Sequence, residues 1–101
     1  MTIANISLPD YPLFLAPMED ITDPSFRMVC KMNGADVMYT EFISSDGLIR
    51  DGQKSVKKLD IFDFERPIGI QLYGHLTGAM VEAALMAEEA KPELIELFDE
   101  C

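Results

Sequence analysis

The chain has 101 residues, of which 49% are hydrophobic and 26% are charged, as in an ordinary soluble globular domain. This length allows one domain at most, and only part of an eight-unit β/α barrel, which needs roughly 250 residues. The 18 acidic and 8 basic residues give a formal net charge of −10, so the chain as a whole does not attract nucleic acid electrostatically.

Cysteine usage and the N-terminal residues indicate a reducing cytoplasm. The two cysteines, Cys30 and Cys101, make no disulfide framework, and no CxxC or Cys/His spacing predicts a metal site. The N-terminus lacks a basic segment followed by an apolar one, and no apolar stretch reaches 18 residues, so we expect neither secretion nor membrane spanning. Cys30 fits a small core residue of a helix better than a reactive thiol.

Short apolar runs alternate with helical or irregular segments along the chain. Strands are expected at residues 13–18, 37–42, 68–73 and 93–98. Helices are expected at 24–31 and 79–90, with short helical turns and loop in the polar stretch 43–67. No two-residue hairpin signal separates the four strands, so they should pair in parallel through right-handed crossovers.

The first predicted helix, at residues 24–31, has a start signal and a stop signal. Thr22 or Asp23 can cap its N-terminus, and Pro24 suits the first turn because its missing N–H costs nothing there. Asn33-Gly34 supplies a left-handed stop.

The second predicted helix, at residues 79–90, is the clearest in the chain because it is rich in good helix formers. One broad apolar face should pack on the sheet. Its members are Met80, Val81, Ala84, Leu85 and Ala87, with Glu82, Glu88 and Glu89 on the other face.

Parallel α/β sheets carry their chemistry at the carboxyl ends of the strands. The segments expected at this rim are 16–18, 41–42, 71–73 and 99–101. Strand ends are also simply where polar residues begin, and spacing alone does not separate the two interpretations. The segment 44–47 could likewise contact nucleic acid or cap a helix, and His75 is expected to be a surface residue.

Four of the eight basic residues fall in one short stretch. They are Arg50, Lys54, Lys57 and Lys58. Such a cluster can form a phosphate-facing ridge, but it is more often a solvated face.

Three segments carry a resemblance to a known family. They read FLAPMEDITDPSFR at 14–27, GADVMYTEFISSDGL at 34–48 and PIGIQLYG at 67–74, and a cysteine follows KPELIEL. Together they resemble the tRNA-dihydrouridine synthases, flavin enzymes on a TIM barrel, over residues 12–101. The Ala-Pro-Met-x-x-x-Thr-Asp-x-x-Phe-Arg pattern is specific, and Gln-Leu-x-Gly adds independent support.

The resemblance implies an α/β fold consisting of the first four β/α units of a TIM barrel, a partial barrel with a parallel sheet. Residues 1–101 would then be the amino-terminal part of an FMN-binding TIM-barrel domain, with the later strands and the C-terminal helical domain absent.

The resemblance also implies FMN contacts and a catalytic thiol. In the family the Pro-Met backbone at the end of the first strand lies against the flavin ring, which implies Pro17, Met18 and the following Glu19. The glutamine of Gln-Leu-x-Gly bonds the pyrimidine edge of the flavin, which implies Gln71, whose amide offers a donor and an acceptor together. The catalytic cysteine of the family corresponds to Cys101.

The motif around Cys101 departs from the family pattern. Where Asn-x-Gly-Cys-Pro has Asn and Gly, this chain has Phe98 and Glu100, and the sequence stops where the Pro would follow. A catalytic acid and an inert thiol on a frayed end both remain open for Cys101.

The implied activity is reduction of uridine to 5,6-dihydrouridine in tRNA, in which hydride passes from NAD(P)H through FMN to C6 and the cysteine protonates C5. The family draws further flavin contacts from later strands, so we expect the truncated chain to be inactive alone. The alternative is a non-catalytic, truncated or degenerate half-barrel that at most self-associates through exposed sheet edges. Another FMN barrel, dihydroorotate dehydrogenase, fits the Thr-Asp-x-x-Phe-Arg stretch poorly.

Overall fold

The computed structural model describes residues 1–99 as a parallel sheet with helices on one face, preceded by a short hairpin. The strands are β1 (Thr2–Ile3), β2 (Ile6–Ser7), β3 (Phe14–Leu15), β4 (Val37–Tyr39), β5 (Ile43–Ser44), β6 (Ile68–Gly74) and β7 (Leu94–Asp99). The helices are α1 (Pro24–Met32), α2 (Ser45–Ile49), α3 (Gln53–Lys57) and α4 (Thr77–Glu89), with a 3₁₀ turn at Asp63–Glu65.

The main sheet places β3, β4, β6 and β7 side by side, and every pairing in it is parallel. β7 pairs with β6 along residues 69–74, while β4 and then β5 occupy the opposite edge of β6. β3, β4, β6 and β7 alternate with helices and lie side by side in chain order, as the first four β/α units of a TIM barrel do. The predicted fold class is therefore confirmed. Within residues 1–99, β3 and β7 form the open edges of the sheet.

The strands near the N-terminus are shorter than predicted. β3 ends at Leu15, two residues before Pro17, which has no N–H to donate to a sheet ladder. β4 ends at Tyr39, after which the Thr40 N–H still donates to the Gly69 carbonyl at 2.9 Å. The antiparallel hairpin of β1 and β2 was not predicted, and its turn holds Ala4 at a φ of 51°.

The core lies between the sheet and the helices on its outer face. It is built from fully buried aliphatic side chains of β5, β6, α2 and α4, namely Ile43, Leu48, Ile70, Leu72, Ala83 and Ala87. Because side chains alternate along a strand, Ile70 and Leu72 on this face put Gln71 and Tyr73 on the opposite, inner face. The core thus decides which residues of β6 are available to a ligand.

The predicted apolar face of α4 is wrong in part. The buried stripe consists of Ala79, Ala83 and Ala87, whereas Val81 and Leu85 are 56% and 60% exposed. Alanines at a spacing of four residues let α4 approach the sheet and α2 closely, which larger side chains would prevent. Hydrophobic periodicity could not find this stripe because the apolar residues of α4 are spread around the helix and favour no single face.

The end signals of α1 are confirmed. The Asp23 carboxylate accepts a hydrogen bond from the Phe26 N–H at 2.8 Å, with Pro24 as the first helical residue. Gly34 adopts a left-handed φ of 106° just beyond the helix. Cys30 has a free thiol and is only half-buried, so it is less of a core residue than expected. Among residues 1–99, no helix combines the length and the apolar character needed to cross a membrane.

Gly69 of β6 offers a test of the inner face. A Cβ at this position would stand 2.5 Å from two carbons of the Tyr39 ring. Gly69→Ala should therefore lower the free energy of unfolding by about 1–3 kcal/mol, measured by urea denaturation.

The control for Gly69→Ala is Gly78→Ala in the first turn of α4, where an added Cβ meets nothing within 4 Å. This control should leave stability unchanged or raise it by up to about 1 kcal/mol. Equal stability of Gly69→Ala and the wild-type chain would show that the Tyr39 ring does not pack on β6 as described.

Candidate functional site

A pocket opens at the carboxyl ends of the strands, on the inner face of the sheet. Its volume is about 480 Å³, within the range of small-molecule sites. It is lined by Pro17, Phe42, Gln71, Tyr73 and Phe98. The segments after β3 and β4 and the ends of β6 and β7 therefore meet at one rim, as predicted for 16–18, 41–42 and 71–73. Of the fourth expected segment, 99–101, the last two residues lie outside the described part of the chain.

The strand register explains why these side chains share a face. Gln71 lies opposite Glu96 and Tyr73 lies opposite Phe98 in the parallel pairing of β6 and β7. Residues directly opposite each other on neighbouring strands point to the same side of a sheet. Phe98 stands where the family pattern has Asn, so its appearance in the pocket wall was not predicted.

Aromatic rings form most of the pocket wall. The Phe42 and Tyr73 rings pack edge to face, with centroids 4.8 Å apart and planes at 87°. The Lys58 ammonium lies 5.6 Å from the Phe42 centroid, within cation–π range. Phe42 is thus held from two sides, while rings and a proline leave the pocket with little polar surface.

Gln71 is the polar residue of the pocket, and two contacts orient it. Its backbone N–H donates to the Thr40 hydroxyl at 3.3 Å, which continues the ladder beyond the end of β4. Its side-chain Nε2 donates to the Glu96 carboxylate, also at 3.3 Å. A carboxylate can only accept, so the amide nitrogen must face Glu96. The amide oxygen is then free to accept a hydrogen bond from a ligand, and the second N–H of Nε2 remains a donor.

Tyr39 shares the inner face with this amide. Partial burial, together with the negative charge of Glu96, raises the pKa of the Tyr39 phenol above its usual value. The usual pKa of about 10 already keeps the phenol protonated at neutral pH, and the upward shift extends its donor O–H on this face to a higher pH.

Met18 and Glu19 lie beside the pocket and not in its lining. The Met18 backbone is bonded within its own loop, where its carbonyl accepts from the N–H groups of Ile21 and Thr22. The Glu19 carboxylate accepts from Lys58 Nζ at 3.1 Å. Of the residues expected to contact FMN, the structure therefore brings Pro17 and Gln71 together in one pocket and places Met18 and Glu19 at its margin.

Lys58 joins the loop after β3 to the segment after β4. Besides Glu19, its Nζ lies 3.6 Å from Glu41 and 3.4 Å from the Phe42 carbonyl oxygen. Oxygens of Glu19, Asp20 and Glu41 all lie within 4.8 Å of one another, and the lysine charge offsets this crowding. A solvated face was the favoured interpretation of the basic stretch, and it is wrong for Lys58, whose side chain is largely covered.

Lys58→Met should cost about 1–2 kcal/mol of unfolding free energy, more than an exposed ion pair and less than a fully buried one. The reason is that Glu41, which is nearly buried, would lose its ion pair with Lys58 and keep the carboxylates of Glu19 and Asp20 close by. Urea denaturation measures the loss, with Lys54→Met as the control because Lys54 is an exposed lysine of α3. The control should stay within about 0.5 kcal/mol of wild type. Equal losses in the two variants would contradict this role of Lys58.

Sequence reasoning missed the buried ion pair of Arg27 and Glu65. The Arg27 side chain is 3% exposed and that of Glu65 is fully buried. Arg27 Nε donates to Glu65 Oε1 at 2.7 Å. The signal that could have suggested a structural role is the position of Arg27 at the end of the Thr-Asp-x-x-Phe-Arg pattern. Nothing local to residue 65 indicated its partner.

Three remaining rim residues can be placed briefly. Ser44 accepts a hydrogen bond from the Gly47 N–H at 3.1 Å, which confirms the helix-cap interpretation of that segment. His75 is exposed just beyond β6, as expected. Cys101, the predicted catalytic thiol, lies outside the described residues.

Parallel β/α units that lie side by side in chain order, with a pocket at their carboxyl rim, are consistent with part of a TIM barrel. The family model described as "Dihydrouridine synthase (Dus)" matches residues 14–98. The chain therefore belongs to the dihydrouridine synthase family.

Curated relatives agree with this assignment. The chain is 40% identical over 91 residues to a "Probable tRNA-dihydrouridine synthase" of Aquifex aeolicus, which covers 88% of this chain and 28% of that protein. It is 35% identical over 100 residues to a protein of the same name in Rickettsia prowazekii, covering 98% of this chain and 30% of the relative. It is 32% identical over 89 residues to "tRNA-dihydrouridine synthase B" of Xanthomonas campestris pv. campestris, covering 88% and 27%. The chain thus spans less than a third of the length of these relatives.

Proposed function

We propose that this chain supplies the flavin-facing amino-terminal part of a tRNA-dihydrouridine synthase, an oxidoreductase that uses FMN and NAD(P)H to reduce uridine to 5,6-dihydrouridine in tRNA. The observation that carries the proposal is the single pocket that joins Pro17 of the Ala-Pro-Met pattern to Gln71 of Gln-Leu-x-Gly. Two separate motifs of the family converge on one site, although 53 residues of sequence lie between them.

The pocket suits the ring end of a flavin. Phe42, Tyr73 and Phe98 offer aromatic surface to a planar heterocycle, and Pro17 offers a flat apolar contact. The Gln71 amide oxygen can accept a hydrogen bond from a ring N–H, as the pyrimidine edge of a flavin requires. Met18 and Glu19 would border the ring, with Glu19 held away from it by Lys58.

The chemistry that FMN supplies when bound is hydride transfer to C6 of the uracil base. The part of this chain is to bind and orient the ring, and Cys101 would hold the proton destined for C5. A thiol suits that role because its usual pKa of about 8.5 keeps it mostly protonated near neutral pH.

The tRNA would be the macromolecular partner. A base inside folded RNA must leave its stack to reach such a pocket, which demands contacts to the RNA backbone. The net charge of −10 disfavours such contacts by this part alone. We therefore infer that residues 1–101 act as the first part of a longer FMN-binding barrel whose remaining length grips the tRNA.

The test is the visible spectrum of the purified chain after FMN is added and the excess removed, run beside a native mass measurement. Bound flavin is expected, with absorption that co-elutes with the protein. Riboflavin provides a matched comparison, because no phosphate-binding group is among the pocket lining in residues 1–99. FMN and riboflavin should therefore bind about equally well to this chain.

The native mass separates the two candidate roles. β3 and β7 are open edges within residues 1–99, so two copies could pair. Flavin bound by a dimer would mean that two halves complete one pocket. A dimer without flavin would favour the non-catalytic, self-associating alternative, and a monomer without flavin would contradict both roles for this chain.

A further inference from the structure

The loop that brings Pro17 to the pocket is closed by one threonine. The Met18 N–H donates to the Thr22 hydroxyl at 3.0 Å, and that hydroxyl donates to the Met18 carbonyl at 3.1 Å. Both polar groups of the Met18 backbone are therefore satisfied inside the protein. A ligand at this loop would meet the Pro17–Met18 backbone as a surface and would not compete for the Met18 N–H.

Hydrogen bonds to the sheet do not fix the conformation of this loop. Pro17 has no N–H to join the ladder, and Asp20 adopts a left-handed φ of 63°, which disfavours a residue with a Cβ. Such a conformation persists only when the surrounding structure imposes it.

Hydrogen bonds from the buried Arg27 side chain stabilise the loop. Arg27 Nη1 donates to the Thr22 carbonyl at 2.7 Å, and Arg27 Nε donates to Glu65 at the same distance. The second oxygen of Glu65 accepts from the Phe62 N–H at 3.0 Å, which anchors the carboxylate to the 3₁₀ turn. Thr22, Arg27 and Glu65 are all nearly or fully buried. We call this chain of contacts the Thr22–Arg27–Glu65 brace.

We propose that the Thr22–Arg27–Glu65 brace is a positioning device that sets the Pro17–Met18 backbone at the rim pocket. None of its three side chains lines that pocket, so each acts through the loop. The brace accounts for the spacing of Ala-Pro-Met-x-x-x-Thr-Asp-x-x-Phe-Arg. The threonine closes the loop that follows Pro-Met, and the arginine, one turn into α1, donates a hydrogen bond to the carbonyl of that threonine. Its effect on flavin affinity rests on the proposed function, whereas its effect on the loop does not.

The test compares Thr22→Val, which keeps the shape and loses the hydroxyl, with Thr22→Ser, which keeps the hydroxyl. Hydrogen exchange of the Met18 amide, followed by NMR in the FMN-free chain, reports on the loop directly. Exchange should be about tenfold faster in Thr22→Val and close to wild type in Thr22→Ser, since the hydrogen bond that protects the Met18 N–H, about 1.4 kcal/mol, is lost in the valine variant only. The Ile70 amide in the core should be unchanged in both variants. If Thr22→Val does not fold, Thr22→Ala replaces it.

Flavin titration adds the second measurement. FMN should bind about tenfold more weakly to Thr22→Val than to wild type, and Thr22→Ser should restore the affinity. Wild-type exchange rates at Met18 in Thr22→Val would overturn the brace, and so would unchanged FMN affinity in a variant whose Met18 amide exchanges fast. If the wild-type chain binds no flavin, the proposed function fails for this chain, and the exchange data alone decide the brace.

Discussion

Replacing Glu65 by alanine should lower the free energy of unfolding by about 3–5 kcal/mol, because the substitution leaves the buried Arg27 charge without its partner. The two side chains are 0% and 3% exposed, so water cannot take over the role of the carboxylate. The loss also frees the Phe62 N–H that the carboxylate accepts from. A domain of this size is stable by about 5–15 kcal/mol in total, so much of the chain would unfold in mild denaturant.

Urea denaturation measures this loss against a control on the same 3₁₀ turn. Asp63 pairs with Arg66 at 3.3 Å but is fully exposed, so Asp63→Ala should cost far less stability than Glu65→Ala. The double variant Arg27→Met/Glu65→Leu removes both charges and should lose less than Glu65→Ala alone. Similar losses for Glu65→Ala and Asp63→Ala would refute the buried pair.

Gln71→Leu should weaken FMN binding by about 1–3 kcal/mol, or roughly 5- to 150-fold in Kd, while leaving the fold intact. Leucine has nearly the size of glutamine but cannot satisfy the pyrimidine edge of a flavin. The substitution also removes only one side-chain hydrogen bond within the protein, the bond from the Gln71 amide to Glu96. Fluorescence titration of FMN measures the affinity, and urea denaturation verifies the stability.

His75→Ala is the control for Gln71→Leu. His75 follows β6 at the same rim but lies outside the pocket lining of Gln71, so FMN affinity should not change. Glu96→Gln tests the orientation of the Gln71 amide separately. A glutamine at position 96 can accept or donate a hydrogen bond, so either end of the Gln71 amide could then face the ligand. Unchanged FMN affinity in Gln71→Leu would remove Gln71 from the proposed site.

The sequence predicted the alternation of elements well because the signals are local. Asp23, Pro24 and Gly34 mark the ends of α1 through hydrogen bonds and dihedral angles that involve only neighbouring residues. The apolar run of β6 needed no knowledge of its partners to be recognised as a strand. Parallel pairing followed from the absence of tight turns between the main strands.

The buried face of α4 is a feature that local sequence signals could not predict. The apolar residues of α4 are spread around the helix, so no periodicity selects Ala83 over Leu85 for the interface. The choice depends on how closely α2 and the sheet approach the helix, which is a property of the assembled layers. The side chain that fits the gap is the small one, although the larger one is more hydrophobic.

The candidate site, too, could be predicted from the sequence only in part. Resemblance alone pointed to Pro17 and Gln71, and the order of strands alone predicted one shared rim. Only the tertiary structure added Phe98 to the pocket and placed Lys58 beside Glu19, whereas Phe42 belongs to a segment that was already expected at the rim.

The sequence by itself determined the family, the α/β class and the ends of the first helix, because each is encoded in short contiguous patterns. Only the tertiary structure paired Arg27 with Glu65, which lie 38 residues apart. A charge that is buried away from water is costly unless it is paired with an opposite charge. The partner can come from any segment that the fold brings near, so the local sequence does not reveal which residue it is.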